Sequence, residues 1–106
     1  MKFGVAFANS GPYADPALLG ALAQSAESVG TESLWVIEHV VVPVGYQAEY
    51  PYSRSGRLPG RENTPILDPF LSLAFLASKT TRLRLATGVL ILPQRHPTYV
   101  AKEAAT

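Results

Sequence analysis

Few side chains in this sequence are equipped for chemistry. His39 follows Glu38 at the end of an apolar run, Ser33-Leu34-Trp35-Val36-Ile37. An imidazole titrates near neutral pH, so it can give or take a proton there. Glu38 is placed to orient His39, to contact a ligand or to form an ion pair. Successive strand residues point to opposite faces, so the two share a side only if the strand bends. The plain structural use of His39 is a hydrogen bond to backbone. Gly88 interrupts a second apolar run. A glycine inside a strand marks a bulge, a close approach by a ligand, or room for a bulky neighbour. His96 precedes Pro97, which holds it extended beside a helix start. Arg54, Arg57 and Arg61 suit an anionic ligand or open solvent. There are two histidines and no cysteines. Thiol catalysis, disulfides and thiolate metal sites are excluded, and two distant histidines do not form a ligand set.

The elements that must position these residues follow from pattern. Residues 2–8 are short and apolar and end at Asn9-Ser10-Gly11-Pro12, which reads as a strand and turn. Asp15-Pro16 is a helix-start signal. Leu18, Leu19, Leu22, Ala23, Ala26 and Val29 then recur at helical spacing, and Gly30 stands where a helix closes. Residues 33–37 read as a second strand. Asp68-Pro69 starts a second helix running to about residue 79, and residues 82–92 read as a third strand, apolar enough for both faces to be covered. Pro97 opens a further helix. Strands alternating with helices give right-handed crossovers and a parallel sheet, in a doubly wound sheet or a (β/α)8 barrel. No glycine-rich dinucleotide fingerprint follows the first strand, and no Walker loop occurs. Ligands in both folds meet the carboxyl ends of strands. Ala8-Asn9, Glu38-His39 and Gly88 to Leu92 should therefore share one mouth. Residues 41–65 hold four prolines, three glycines and three tyrosines without any period. A stretch of that length with aromatic residues favours an active-site lid over a disordered linker.

The chain has 106 residues, enough for one small domain. Hydrophobic residues make up 47% and charged residues 16%, against roughly 25% charged in an average domain, so disorder is not expected. The net charge of +1 supplies no field for nucleic acid or acidic lipid. No apolar run is long enough to span a membrane, and the start lacks a signal peptide's apolar stretch. A soluble, cytoplasmic protein is the expectation. Pro97 to Thr106 reads as the opening turns of a helix with no stop signal, which predicts a chain cut from a longer one.

Four stretches together carry a resemblance. Met1-Lys2-Phe3-Gly4-Val5, Ser33 to His39, Leu67-Asp68-Pro69-Phe70, and Arg82 to Pro97 resemble, in order, the N-terminal part of bacterial luciferase-like oxidoreductases. That group uses flavin or the deazaflavin coenzyme F420. The resemblance implies that residues 1–106 are the N-terminal portion of a single (β/α)8 barrel domain, incomplete in this chain. It implies a cofactor ring in the carboxyl-end mouth. His39 matches the histidine beside the ring, a proton donor or acceptor. Gly88-Val89 matches a pair joined by a non-proline cis peptide against the ring face. Glu38 stands at a cofactor-side position where relatives often carry aspartate. The segment from Tyr50 to Gly60 resembles the deazaflavin branch, so the expected activity is F420-dependent hydride transfer to or from a small organic substrate. An FMN-dependent monooxygenase is the alternative. A non-catalytic fragment or interaction module is a third. The full-length enzyme is expected to be a homo-oligomer, and the isolated 106 residues to be inactive and to bind neither cofactor tightly.

Overall fold

A computed structural model describes all of residues 1–106. The chain runs β1 (Gly4–Val5), α1 (Pro16–Ser28), β2 (Ser33–Val36), α2 (Pro69–Ala77), β3 (Arg84–Thr87) and α3 (Pro97–Ala104). Helix α1 begins where Asp15 Oδ1 accepts the N–H groups of Ala17 at 2.8 Å and Leu18 at 3.0 Å, donors that a helix start leaves without partners. It ends in a Schellman closure. Gly30 takes φ +80°, Thr31 N–H reaches Ala26 O at 2.9 Å and Gly30 N–H reaches Glu27 O at 3.2 Å. Asp68 repeats the start signal at α2, accepting Leu71 N–H at 3.0 Å.

The three strands form one parallel sheet in the order β1-β2-β3. Leu34 and Val36 pair in register with Leu85 and Thr87, and this face carries the helices. Leu34 and Val36 pack with Leu19, Ala23 and Ala26 of α1, Leu76 of α2, and Leu83 into one core. Each fully buried leucine there contributes about 1.5–3 kcal/mol through removal from water. The opposite face carries Gly4, Trp35 and Ala86 and stays open, with Trp35 41% exposed. The alternation expected of a parallel αβ fold is thus realised. No helix is long and apolar enough to cross a membrane.

Two strands are shorter than their apolar runs. β1 spans two residues rather than seven, because the backbone turns at Phe7, whose φ is +61°. Ala8 N–H still reaches Trp35 O at 3.1 Å. β3 stops at Thr87 rather than Leu92. Gly88 N–H makes a last backbone bond, to Val36 O at 2.8 Å, and the Gly88–Val89 peptide is cis. Beyond it Ile91 N–H goes to the Glu38 side chain instead of a neighbouring strand. Val89 is 67% and Leu92 58% exposed, so this stretch is not covered on both faces. Residues 41–65 contain turns but no helix or strand. The chain rejoins the fold where Gly11 N–H meets Pro65 O at 2.9 Å and Leu67 N–H meets Asn9 O at 3.0 Å.

Glu27, near the end of α1, ties this helix to the entry of β3. Its Oε1 accepts the N–H groups of Thr81, Arg82 and Leu83 at 2.9, 2.6 and 2.9 Å. The Arg82, Leu83 and Thr81 donors bring its carboxyl from 4.5 down to about 2. Folding lowers this pKa, so the stabilisation is complete above pH 4.5 and is lost as pH falls through about 2. Glu27→Gln is therefore expected to be less stable than wild type above pH 4.5, with the gap closing toward pH 2. Urea unfolding across that range checks this. A gap that does not change with pH would contradict it.

Candidate functional site

The parallel order places the carboxyl ends of β1, β2 and β3 side by side, and two knots of hydrogen bonds hold them there. Asn9, just past β1, is fully buried. Its Nδ2 donates to Ile37 O at 2.8 Å and Leu67 O at 2.7 Å, and its Oδ1 accepts Ile37 N–H at 2.8 Å. One amide side chain thus joins the exit of β2 to the approach to α2.

Glu38 is the second knot, 4% exposed. Its Oε2 accepts Ile91 N–H at 2.6 Å and its Oε1 accepts Arg95 Nε at 2.6 Å. Arg95 also donates Nη2 to Asp68 Oδ2 at 2.5 Å, lies 3.7 Å from Glu103 of α3, and sits over the Phe70 ring at 5.4 Å. Burial pushes the Asp68 carboxyl up, but Leu71 N–H and the Arg95 guanidinium outweigh this and hold it below its usual range. Glu38, then Asp68, keep the guanidinium firmly charged. Arg95 went unremarked in the sequence because its partner Glu38 lies 57 positions away.

His39 is half-buried beside this network and is not oriented by Glu38, whose oxygens are occupied elsewhere. No buried side-chain nitrogen or oxygen lacks a partner. The His39 nitrogens bond to nothing in the chain, so they are open to solvent. His39 lines two clefts. One, of about 370 Å³, is polar and includes Glu38, Asp68, Gln94 and Arg95. The other, of about 170 Å³, is walled by the loop, including Val42, Tyr46, Tyr50 and Leu58. Gly88 lies near β2 through its bond to Val36. A Cβ there would come within 3.2 Å of Trp35 Cε3, so the indole itself accounts for the missing side chain. Val89 beside it is exposed.

The remaining candidates lie outside this arrangement. His96 stacks edge-on against Tyr99 at 5.4 Å and lines neither cleft. Arg57 sits over the Tyr46 ring at 4.8 Å. With Arg61 it lines a cleft of about 560 Å³ inside the loop, larger than the other two but lacking His39. Arg54 is exposed.

The carboxyl end of the parallel sheet thus carries an open-sided histidine past β2 and the cis Gly88–Val89 peptide just past β3. The family model described as luciferase-like monooxygenase matches residues 1–106. The chain belongs to the luciferase-like monooxygenase family. Within it, the chain supplies three parallel strands and their helices to a luciferase-like (β/α)8 barrel. It is similar to an uncharacterized protein of Mycobacterium tuberculosis, 36% identical over 106 residues, covering 100% of this chain and 36% of the relative. A second uncharacterized protein of that organism is 35% identical over 85 residues, covering 80% of this chain and 30% of the relative. The oxygenase component of a flavin-dependent trigonelline monooxygenase from Acinetobacter baylyi is 50% identical over 38 residues, 36% of this chain and 11% of that protein. The chain spans about a third of the length of the mycobacterial relatives. No solved structure matches it.

The Glu38–Arg95 pair gives a stability test. Arg95→Met leaves a buried carboxylate with one backbone donor, at a cost of about 3 kcal/mol or more. Glu38→Gln/Arg95→Met removes both charges and should recover part of that loss. A double-mutant cycle by chemical unfolding of the whole protein measures it. Additive losses would contradict the coupling.

Proposed function

We propose that the whole protein is an oxidoreductase that moves a hydride between coenzyme F420 and a small organic substrate, with His39 as the proton-handling residue. The observation that carries this reading is His39 itself: its nitrogens bond to nothing in the chain, and it stands where two clefts meet at the strand ends. The residues present fit a flat ring. Gly88 offers backbone without a side chain, Val89 offers exposed apolar surface, and the adjoining strand residue Trp35 is partly open. When bound, the deazaflavin ring supplies two-electron hydride chemistry.

Each residue then has a distinct task. His39 gives or takes the proton that accompanies hydride movement on the substrate, at a nitrogen open to the clefts. Gly88 and Val89 would hold the ring, Gly88 through bare backbone and Val89 through its exposed apolar side chain. Glu38 serves the same site by holding Ile91 N–H, which fixes the segment that follows Val89. Arg95 neutralises Glu38 and keeps it in place. The resemblance of the Tyr50–Gly60 segment to the deazaflavin branch supports F420. A second reading, FMN-dependent monooxygenation, is supported by the flavin-dependent relative from Acinetobacter.

Absorbance titration of the whole protein separates the two. The F420 reading expects a perturbed deazaflavin band and no change with FMN. A perturbed FMN spectrum with no response to F420 would replace it by the second reading, and no response to either would overturn both. For the proton role, His39→Ala is expected to lower kcat by about 10²–10⁴-fold, the usual contribution of a positioned acid or base. Unchanged kcat across pH would remove His39 from that role.

A further inference from the structure

We infer that the loop-walled cleft against His39 is a binding site for a single-ring organic group, uncharged or cationic, and that Tyr46 forms its pre-set wall. The redox reading above decides what reacts there, but binding of the ring stands apart from it. The cleft measures about 170 Å³. An apolar cavity of about 150 Å³ holds one benzene ring, so the space has room for one ring. Val42, Pro43, Tyr46, Tyr50 and Leu58 supply apolar walls, and His39 closes one side. Val42, Tyr46, Tyr50 and Leu58 are half-buried while most of the loop around them is exposed. The loop therefore has an inner apolar face turned toward the histidine.

Charge decides the class further. Glu49 is the one charged residue lining this cleft besides the titratable histidine. No arginine or lysine lines it; Arg57 and Arg61 face the other loop cleft. A carboxylate placed here would meet Glu49 at the exposed rim, with Arg57 held over the Tyr46 ring rather than lining the cleft, whereas a neutral or positively charged ring would meet no like charge.

Tyr46 is held ready. Its hydroxyl accepts Leu58 N–H at 2.8 Å. The Arg57 guanidinium lies 4.8 Å from its ring centre and donates to its carbonyl oxygen. The loop is closed behind it by Tyr50 N–H on Gly56 O at 2.7 Å. A wall fixed before the ligand arrives loses little entropy when the ligand binds.

The test is ligand-observed NMR titration of the whole protein, without added cofactor, using benzyl alcohol, benzylamine and benzoate. Benzyl alcohol and benzylamine are expected to bind, with benzoate weaker by about tenfold or more. Tyr46→Ala should weaken benzyl alcohol by about tenfold. Val42→Phe fills the cleft while leaving the Tyr46 contacts in place, and should abolish binding even if Tyr46→Ala disturbs the loop. Arg54→Ala should bind as wild type does. Absence of benzyl alcohol binding, benzoate binding as tight as benzyl alcohol, or indifference to Val42→Phe would each overturn the proposal. Because no cofactor is present, failure of the spectral titration leaves this result standing, and the reverse also holds.

Discussion

A carboxylate taken out of water at the end of a buried strand must find its partners inside the fold, and Glu38 is in that position. The cost of burying an unpaired charge is far larger than any local preference of the chain. Glu38 meets the requirement with the Ile91 N–H and the Arg95 guanidinium. The first partner draws the exit of β3 toward β2. The second brings the start of α3 over the start of α2, since Arg95 also binds Asp68. The Glu38 carboxyl group thus ties the end of β2 to the stretch from Ile91 to Arg95, and through Arg95 to Asp68, around His39. Asn9 performs the neutral counterpart on the other side, joining the ends of β1 and β2 through backbone groups alone.

This arrangement frees His39 from structural duty. The two side chains stand next to each other in sequence, yet Glu38 turns to the ion network and His39 to the clefts. An imidazole fixed by a carboxylate would have one nitrogen committed. Here both remain accessible, between a polar cleft lined by the start of α2 and by Gln94 and Arg95 and an apolar one lined by the loop. A cleft with an imidazole between a charged wall and an apolar wall suits a ligand that has one apolar and one polar part.

Much of the framework was legible in the sequence because its signals are local. Asp15-Pro16, Asp68-Pro69 and Gly30 act within one helical turn, and each works as its residue type requires. The alternation of elements was enough to place Asn9, His39 and Gly88 beyond the carboxyl ends of one parallel sheet. The strand ends were not legible, because distant groups set them. β1 stops at the left-handed turn of Phe7, and β3 gives way where Glu38 takes a donor that a strand would have used. Arg95 was invisible for the same reason. Nothing near residue 95 announces a partner at residue 38. Of the two readings of Gly88, room for a neighbour has a basis in the structure, since Trp35 fills the space a side chain would need.

A crystal structure of the whole protein with its ring cofactor bound tests the central placement most directly. The expected result is a ring in the mouth, one face against Gly88 and Val89, with a His39 nitrogen within about 3–4 Å of the ring or of a substrate beside it. A ring bound away from the strand ends, with His39 facing only solvent, would contradict it.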